Sequence, residues 1–245
     1  MDDQPITAPE TPPAPEERPS VPWRWGDLLI AFILGFVAGA VAIGILLAIF
    51  PGIDDLETTQ WLFLAGGTIY AFELFFAWYF AIKRRGAKLR DAGVFMPTLG
   101  AVLLMAPAII GVFIVEGIVA QVMVNLFGPT PTAEDQLLGG EGVLDRSQIP
   151  WVVILTVVIA PVVEEFFFRG LLYGYLRSKM PVIAAASLSG VVFACAHFTP
   201  LLIPSLVVLG IALALVYERY RSIAVPIVLH ALNNGIVIWA LYATV

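Results

Sequence analysis

Charged residues are scarce in this sequence. Asp, Glu, Lys and Arg make up only 13% of its 245 residues, whereas a typical soluble domain contains about 25%. Hydrophobic residues make up 60% of the chain, and its mean hydropathy is +0.91. This composition all but excludes a soluble globular protein and indicates a chain that lies in lipid.

Three further absences narrow the class of protein. The single cysteine, Cys195, cannot form an internal disulfide. A net charge of -6 and a pI of about 4.9 argue against nucleic-acid binding, which depends on basic surfaces. No stretch alternates apolar and polar residues with the period of two that a transmembrane β-barrel requires. A helical membrane protein is the class that remains.

Long apolar stretches dominate the rest of the sequence. A transmembrane helix needs about 20 mostly apolar residues to cross about 30 Å of hydrocarbon, and its backbone groups must be satisfied within the segment. The sequence therefore predicts an all-α, polytopic transmembrane helical bundle of about seven spans. Their approximate bounds are 27–50, 61–82, 101–127, 151–177, 182–198, 201–218 and 223–243.

These stretches divide the chain into four parts. Residues 1–26 contain seven prolines and five acidic residues and lack the order of a cleaved signal peptide, which predicts a disordered acidic tail. Trp23 and Trp25 are predicted to anchor the first span at the membrane interface. The other predicted parts are three N-terminal spans, an extracytoplasmic loop and a four-helix core: residues 27–127, 128–150 and 151–245.

Basic residues are distributed unequally between the two ends of the spans. With a cytoplasmic N-terminus, 12 of the 13 Lys and Arg residues fall on the cytoplasmic side, and only Arg146 falls in an opposite loop. The positive-inside rule therefore predicts a cytoplasmic N-terminus and an extracytoplasmic C-terminus. We expect a multi-pass protein of a prokaryotic plasma membrane.

Glycines and isolated acids stand out in the first three spans. Gly35 and Gly39 form the Gly-x-x-x-Gly pattern of close helix contacts. Glu73 and Glu116 each stand alone in an apolar stretch without a partner motif, so we expect structural or protonated roles for them. We expect helix contacts also at the other glycines of spans one and two: Gly44, Gly66 and Gly67.

Three charged residues lie within span four before its last residue, Arg177, and each is costly in a membrane unless paired or hydrated. Glu165 and Arg169 are four residues apart, so they share a helix face and can form an ion pair. Glu164 points about 100° away from Glu165 and can serve another purpose. One carboxylate is thus neutralised and the other is left for chemistry.

The turn after span four sets the depth of these groups. If spans four and five form an antiparallel hairpin centred near Met180, His197 lies level with Glu164, both about 25 Å from the turn. Pro200 and Pro204 break the helix soon after His197, and we expect that irregular backbone to line a cavity or the protein interior. The sequence therefore predicts a carboxylate and an imidazole that meet inside the membrane.

Span seven carries the second of the chain's two histidines, His230. Asn234 follows four residues later on the same helix face, and Asn233 lies beside it. His230 is nine residues from Arg221, or about 13 Å inward, which allows a common plane with the other polar groups without requiring it.

These residues resemble the CPBP intramembrane proteases. This family, also called Abi, includes the type II CAAX prenyl endopeptidases and bacteriocin-processing or immunity proteins. The resemblance covers roughly residues 150–240 and implies catalytic roles for Glu164, His197, His230 and Asn234, supported by Glu165 and Arg169. The motifs are Glu-Glu-x-x-x-Arg, Phe-x-x-x-His and His-x-x-x-Asn, matched by Glu164, Glu165 and Arg169, by Phe193 and His197, and by His230 and Asn234.

Peptide hydrolysis suits these side chains. A carboxylate partly shielded from water can act as a general base near neutral pH, so Glu164 with His197 would hold and deprotonate a water molecule. His230 and Asn234 would donate hydrogen bonds to the developing oxyanion. The expected substrates are membrane-anchored or amphipathic peptides, and a prenylated substrate follows only by analogy with the family.

Zinc is an alternative that the residues leave open. Glu164, His197 and His230 form a possible zinc ligand set with an open fourth position, and the family includes enzymes described as metalloproteases and as metal-free. With Glu164 as the base, a metal would need another ligand. We favour the metal-free interpretation, because Glu-x-x-x-Arg differs from the His-Glu-x-x-His zinc helix.

Two other functions are compatible with the sequence. A proton-coupled transporter would use Glu73, Glu116, Glu164 and His197 as a relay. A catalytically silent membrane scaffold or immunity protein would bind another membrane protein instead. The combination of a glutamate, two histidines and an asparagine at one approximate depth favours a functional site over purely structural roles for these residues.

Overall fold

The computed structural model describes residues 19–50, 52, 53, 56, 58–103, 106–128 and 147–243. Most of the predicted acidic tail, residues 1–18, lies outside the described residues. The same is true of most of the predicted extracytoplasmic loop, residues 129–146. The division of the chain into domains stays a prediction.

Seven long helical segments account for most of the described chain, and no strand occurs among the described residues. The all-α prediction is therefore confirmed. The segments are α1 (Trp25–Ile49), α2 (Thr58–Ala77, extended by a π-helix over Trp78–Lys83), α3 (Ala106–Phe127), α4 (Ile149–Arg177), α5 (Val182–Cys195), α6 (Ile203–Tyr220) and α7 (Ala224–Ala243).

Five of these segments, α1 to α4 and α6, are long and apolar enough to cross a membrane within the described part of the chain. The chain is therefore a multi-pass membrane protein. Helix α5 has 14 residues, which corresponds to about 21 Å and is shorter than the hydrocarbon layer. The count of seven spans and the cytoplasmic N-terminus stay predictions.

Helices α1 and α2 cross closely at two glycines. A Cβ atom on Gly35 would lie 2.8 Å from Cγ and 2.9 Å from Cα of Glu73, and one on Gly39 would lie 3.0 Å from Cα of Ile69. Because no larger side chain fits at this distance, the predicted contact role of Gly35 and Gly39 is confirmed.

The other glycines of the first two spans differ from one another. A Cβ atom on Gly66 would contact Leu155 of α4 at 3.0 Å, as expected for a helix contact. Gly44 and Gly67 have no heavy atom within 4 Å of such a Cβ, so the predicted contact role is wrong for these two. Their spacing along the helix does not place them on the face that meets a neighbour.

The main core lies among α4, α5, α6 and α7. Helices α5 and α6 approach so closely that a Cβ atom on Gly210 would lie 2.7 Å from Cα of Gly190. This contact brings the backbone carbonyl of Gly210 within reach of the buried side chains of α4. The largest fully buried side chains of this core include Arg169, Tyr173, Phe193, Leu209, Leu213 and Leu229.

Helix α4 is interrupted by two π-helical segments, Ile154–Ile159 and Phe166–Tyr173. The first ends just before Pro161, which has no N–H to continue the hydrogen-bond ladder.

In the second π-helical segment, the carbonyl of Leu171 accepts a hydrogen bond from Nε1 of Trp23 at 2.9 Å. Trp23 is only 2% exposed, whereas Trp25 is 48% exposed, so Trp23 packs inside the protein. The predicted positions of both at the membrane interface stay predictions.

An ion pair connects the start of α1 to the end of α2. Both oxygens of Asp27 accept hydrogen bonds from Arg85 at 2.7 Å, and one of them also caps the backbone N–H of Arg24 at 2.8 Å. The hydrogen bond from Arg85 to Asp27 raises the pKa of the guanidinium above its ordinary value. Two N-terminal helices are therefore fixed to each other at this end of the bundle.

The α1–α2 crossing yields a test of stability. Gly35→Ala is expected to lower the free energy of unfolding by about 1–3 kcal/mol, because the added methyl meets the backbone of Glu73. Gly44→Ala, on the same helix with open space around it, is the matched control and is expected to leave stability unchanged or slightly higher. Thermal unfolding in detergent measures both, and equal stability of the two variants would contradict the close crossing.

Candidate active site

A buried ion pair forms the base of the site. Nη1 of Arg169 lies 2.8 Å from Oε1 of Glu165, and both side chains are 0% exposed. Nη2 of Arg169 donates to the carbonyl of Gly210 at 3.2 Å, and the guanidinium lies 4.5 Å from the ring centroid of Phe193. The ion pair predicted from the four-residue spacing is confirmed, and it connects α4 to α5 and α6.

His230 joins this pair from α7. Its Nδ1 lies 2.9 Å from the same Oε1 of Glu165 that accepts from Arg169. An ionised carboxylate can only accept hydrogen bonds. Nδ1 of His230 therefore carries a hydrogen and donates the hydrogen bond to Glu165. The other ring nitrogen, Nε2, is thereby left to face away from Glu165.

His197 is positioned by the end of α5. The helix ends at Cys195, so His197 lies in the turn beyond it and the predicted helix to residue 198 is too long. The carbonyl of Phe193, in the last turn of the helix, accepts a hydrogen bond from Nδ1 of His197 at 2.8 Å. The rings of Phe193 and His197 also pack edge to face, 4.6 Å apart. This geometry explains the Phe-x-x-x-His spacing.

The backbone after His197 differs from the prediction. The helix break precedes His197, whereas Pro204 lies in the first turn of α6. Phe198 has a left-handed backbone with φ of 53° and is 76% exposed, so the predicted interior position is wrong for this residue.

Both imidazoles face one oxygen of Glu164. Nε2 of His197 lies 3.8 Å from Oε2 of Glu164, and Nε2 of His230 lies 3.9 Å from the same atom. Glu164 is 8% exposed, and its Oε2 has no hydrogen-bond partner among the described residues. Separations of this size are too long for direct hydrogen bonds and suit a water molecule shared by the three groups.

The other oxygen of Glu164 is held by α2. The hydroxyl of Tyr70 donates to Oε1 at 2.6 Å, a contact that the sequence analysis missed. Glu73, one turn further along α2, and Glu164 line a common cavity of about 20 Å³. This cavity is large enough for one water molecule. The remaining lining residues are Phe32, Val163, Phe167 and Phe168.

A signal for Tyr70 was present in the sequence. Tyr70 and Glu73 are three residues apart in an otherwise apolar helix, so they share a face. Glu73 was noted as an isolated acid, but no spacing rule connects α2 to a residue 94 positions later. Glu116 of α3, the other isolated acid, interacts electrostatically with His230.

Asn234 is hydrogen-bonded to the backbone of α4. Its Nδ2 donates to the carbonyl of Thr156 at 2.8 Å, and Thr156 precedes Glu164 by eight residues, or about 12 Å of helix. Asn233 is 6% exposed and its Oδ1 has no partner among the described residues. The structure thus brings together Glu164, His197 and His230, and the oxyanion role of Asn234 stays a prediction.

The three converging groups do not form a metal site as they stand. A tetrahedral zinc site with bonds of about 2.0–2.1 Å places neighbouring ligand atoms about 3.4 Å apart, whereas the imidazole–carboxylate separations here are 3.8 and 3.9 Å. Within the described residues, no three His, Cys, Asp or Glu side chains have an arrangement that could hold a metal ion. We therefore derive no catalytic step through zinc.

The candidate site lies in a segment of the chain that matches a known protein family. Residues 146–236 match the family model described as type II CAAX prenyl endopeptidase Rce1-like. This segment contains both histidines, both glutamates of α4 and Arg169. The resemblance inferred from the three motifs is therefore confirmed.

Two bacterial relatives match a larger part of the chain. The membrane-embedded CAAX protease MroQ of Staphylococcus aureus (strain USA300) is 30% identical over 117 residues, which cover 42% of this chain and 47% of MroQ. YdiL of Bacillus subtilis (strain 168), named as a membrane peptidase, is 29% identical over 135 residues, which cover 54% of each chain. The chain spans about half the length of the curated relatives it matches.

No solved structure matches the chain. The apolar helices and the bacterial relatives identify a multi-pass protein of the cell membrane. The family match supports a membrane endopeptidase in general terms.

The buried ion pair can be tested by removing one or both charges. Glu165→Gln is expected to lower the free energy of unfolding by about 3–5 kcal/mol, because it leaves the guanidinium of Arg169 buried without a counter-charge. The double variant Glu165→Gln, Arg169→Met is expected to lose less free energy of unfolding than Glu165→Gln alone, because it leaves no uncompensated buried charge. A denaturant titration in detergent compares them, and a double variant less stable than Glu165→Gln alone would refute the charge argument.

Metal content provides a second test of the site. Purified protein is expected to contain much less than one zinc per chain by mass spectrometry, because the ligand atoms are too far apart. His197→Ala and His230→Ala should therefore leave the zinc content unchanged. One zinc per chain that disappears in either variant would overturn the metal-free interpretation.

Proposed function

We propose that the protein is an intramembrane endopeptidase that hydrolyses peptide bonds of membrane-associated substrates without a metal. The observation that carries the proposal is the convergence of two imidazole Nε2 atoms on Oε2 of Glu164. Both rings are fixed at Nδ1, one by a backbone carbonyl and one by Glu165. Such fixed orientation is what a water-activating site requires.

The reaction begins with the water molecule between these groups. His197 and Glu164 accept hydrogen bonds from the water, and Oε2 of Glu164 takes a proton as the water oxygen attacks the substrate carbonyl carbon. The carbonyl oxygen becomes the oxyanion of a tetrahedral intermediate. When the C–N bond breaks, the proton on Glu164 passes to the leaving nitrogen, and the carboxylate is regenerated.

Stabilisation of the oxyanion is assigned to His230. Its Nδ1 is held by Glu165, so the ring turns Nε2 toward the reacting water, and in the imidazolium form this N–H donates to the oxyanion. Glu165, which is paired with Arg169, stabilises the positive charge on the ring. Asn234 would contribute only if its amide left the carbonyl of Thr156.

Membrane-associated peptides are the substrates that the surroundings favour. Three aromatic side chains, Phe32, Phe167 and Phe168, line the cavity next to Glu164, and apolar walls suit apolar substrate residues. One relative is named as a CAAX protease, and a C-a-a-X sequence is a site of prenylation. We therefore propose prenylated or single-span peptides as the substrate class to test.

The experiment compares wild type with Glu164→Gln in liposomes. Two quenched fluorescent reporters are used, one ending in a prenylated C-a-a-X sequence and one with a single apolar membrane span. Glu164→Gln is expected to lower kcat by about 100- to 10,000-fold, since the amide cannot take a proton from water. Asp91→Asn, at an exposed carboxylate outside the site, is the matched control and should keep its activity, because the asparagine can still accept the hydrogen bond from the backbone N–H of Lys88.

Two results would contradict the proposal. Cleavage by Glu164→Gln at the wild-type rate would remove Glu164 as the base. Failure of the folded wild-type protein to cleave either reporter would refute the membrane endopeptidase function itself.

A further inference from the structure

We propose that Tyr70 is a positioning residue for Glu164 and that it determines which of two neighbouring carboxylates carries the negative charge. The inference deepens the proposed function and rests on it. Tyr70 belongs to α2, outside residues 146–236 that match the endopeptidase family. The N-terminal helices therefore take part in the site.

The first step is the geometry of the Tyr70 hydrogen bond. Its hydroxyl lies 2.6 Å from Oε1 of Glu164, which is the distance of a charge-assisted bond from a hydroxyl to an ionised carboxylate. With Oε1 fixed in this way, the planar carboxylate must present Oε2 to the two imidazoles. Without Tyr70, the carboxylate is free to rotate away from His197 and His230.

The second step concerns Glu73, the other acid beside this cavity. Glu73 is half-buried and lines the same cavity as Glu164. Two carboxylates that share a poorly hydrated cavity do not both ionise readily. The phenol donates to Glu164, whereas Glu73 has no hydrogen bond within the described residues, so the negative charge is placed on Glu164 and Glu73 is neutral.

The third step is the packing that holds α2 in place. A Cβ atom on Gly35 of α1 would lie 2.8 Å from Cγ and 2.9 Å from Cα of Glu73, so α1 packs closely against α2 at this residue. Gly66 of α2 meets Leu155 of α4. Tyr70 lies between these two contacts along α2, so its hydroxyl is held at a fixed distance from α4.

The test uses Tyr70→Phe in the reporter assay in liposomes. Removal of the hydroxyl is expected to lower kcat by about 10- to 100-fold, the range for a hydrogen bond to a charged group, with KM changed less than about twofold. Tyr79→Phe is the matched control, because Tyr79 lies on the same helical run and its hydroxyl has no hydrogen bond among the described residues. A merely structural role would lower the thermal stability of the Tyr70 variant without this split between kcat and KM.

The charge assignment has its own variant. Added to Tyr70→Phe, Glu73→Gln should raise kcat above that of Tyr70→Phe alone, since the competing carboxylate is gone. A double variant with the same kcat as Tyr70→Phe, or a lower one, would refute the assignment of charge.

The outcomes separate this inference from the proposed function. If Glu164→Gln is inactive while Tyr70→Phe keeps the wild-type kcat, the role of Tyr70 is refuted and the endopeptidase proposal stands. If the wild type cleaves neither the prenylated nor the single-span reporter, the proposed function fails, and the inference fails with it.

Discussion

The site depends on a single oxygen atom, Oε1 of Glu165, which is buried and bound by two donors. Arg169 reaches it from the next turn of α4, and His230 reaches it from α7. A buried carboxylate is tolerated only when it is paired and hydrogen-bonded, and removing one partner leaves an uncompensated charge. The requirement for pairing therefore fixes the rotation of α7 relative to α4 and, with it, the direction in which His230 points.

Two adjacent glutamates on α4 have different surroundings, and their chemistry follows from that difference. Oε1 of Glu165 accepts from a guanidinium and an imidazole, whereas Oε1 of Glu164 accepts from one phenol. Oε2 of each glutamate has no hydrogen-bond partner among the described residues, and Oε2 of Glu164 faces the Nε2 atoms of both imidazoles. A helix turns by about 100° per residue, so neighbouring side chains necessarily enter different environments. The pair follows a general rule for enzymes, in which the environment separates the roles of two carboxyl groups.

Local spacing predicted much of this arrangement. The Glu165–Arg169 pair needs only the helix period, and the level of His197 with Glu164 follows from counting residues around the hairpin. Trp23 is held by a hydrogen bond to the carbonyl of Leu171, which lies in a π-helical segment of α4, and no sequence rule locates such a segment. The bond between Tyr70 and Glu164 depends on how α2 packs against α4, which is a long-range property of the fold.

The α1–α2 crossing connects membrane packing to chemistry. The segment that matches the endopeptidase family supplies the carboxylates and imidazoles, but none of the residues described in this segment donates to Oε1 of Glu164. That donor comes from α2, whose position depends on the close approach that Gly35 and Gly39 permit. Helix association in lipid is driven by such close packing, because apolar side chains gain little by leaving lipid for protein. Small residues at the α1–α2 crossing thereby help to hold Tyr70 against Glu164.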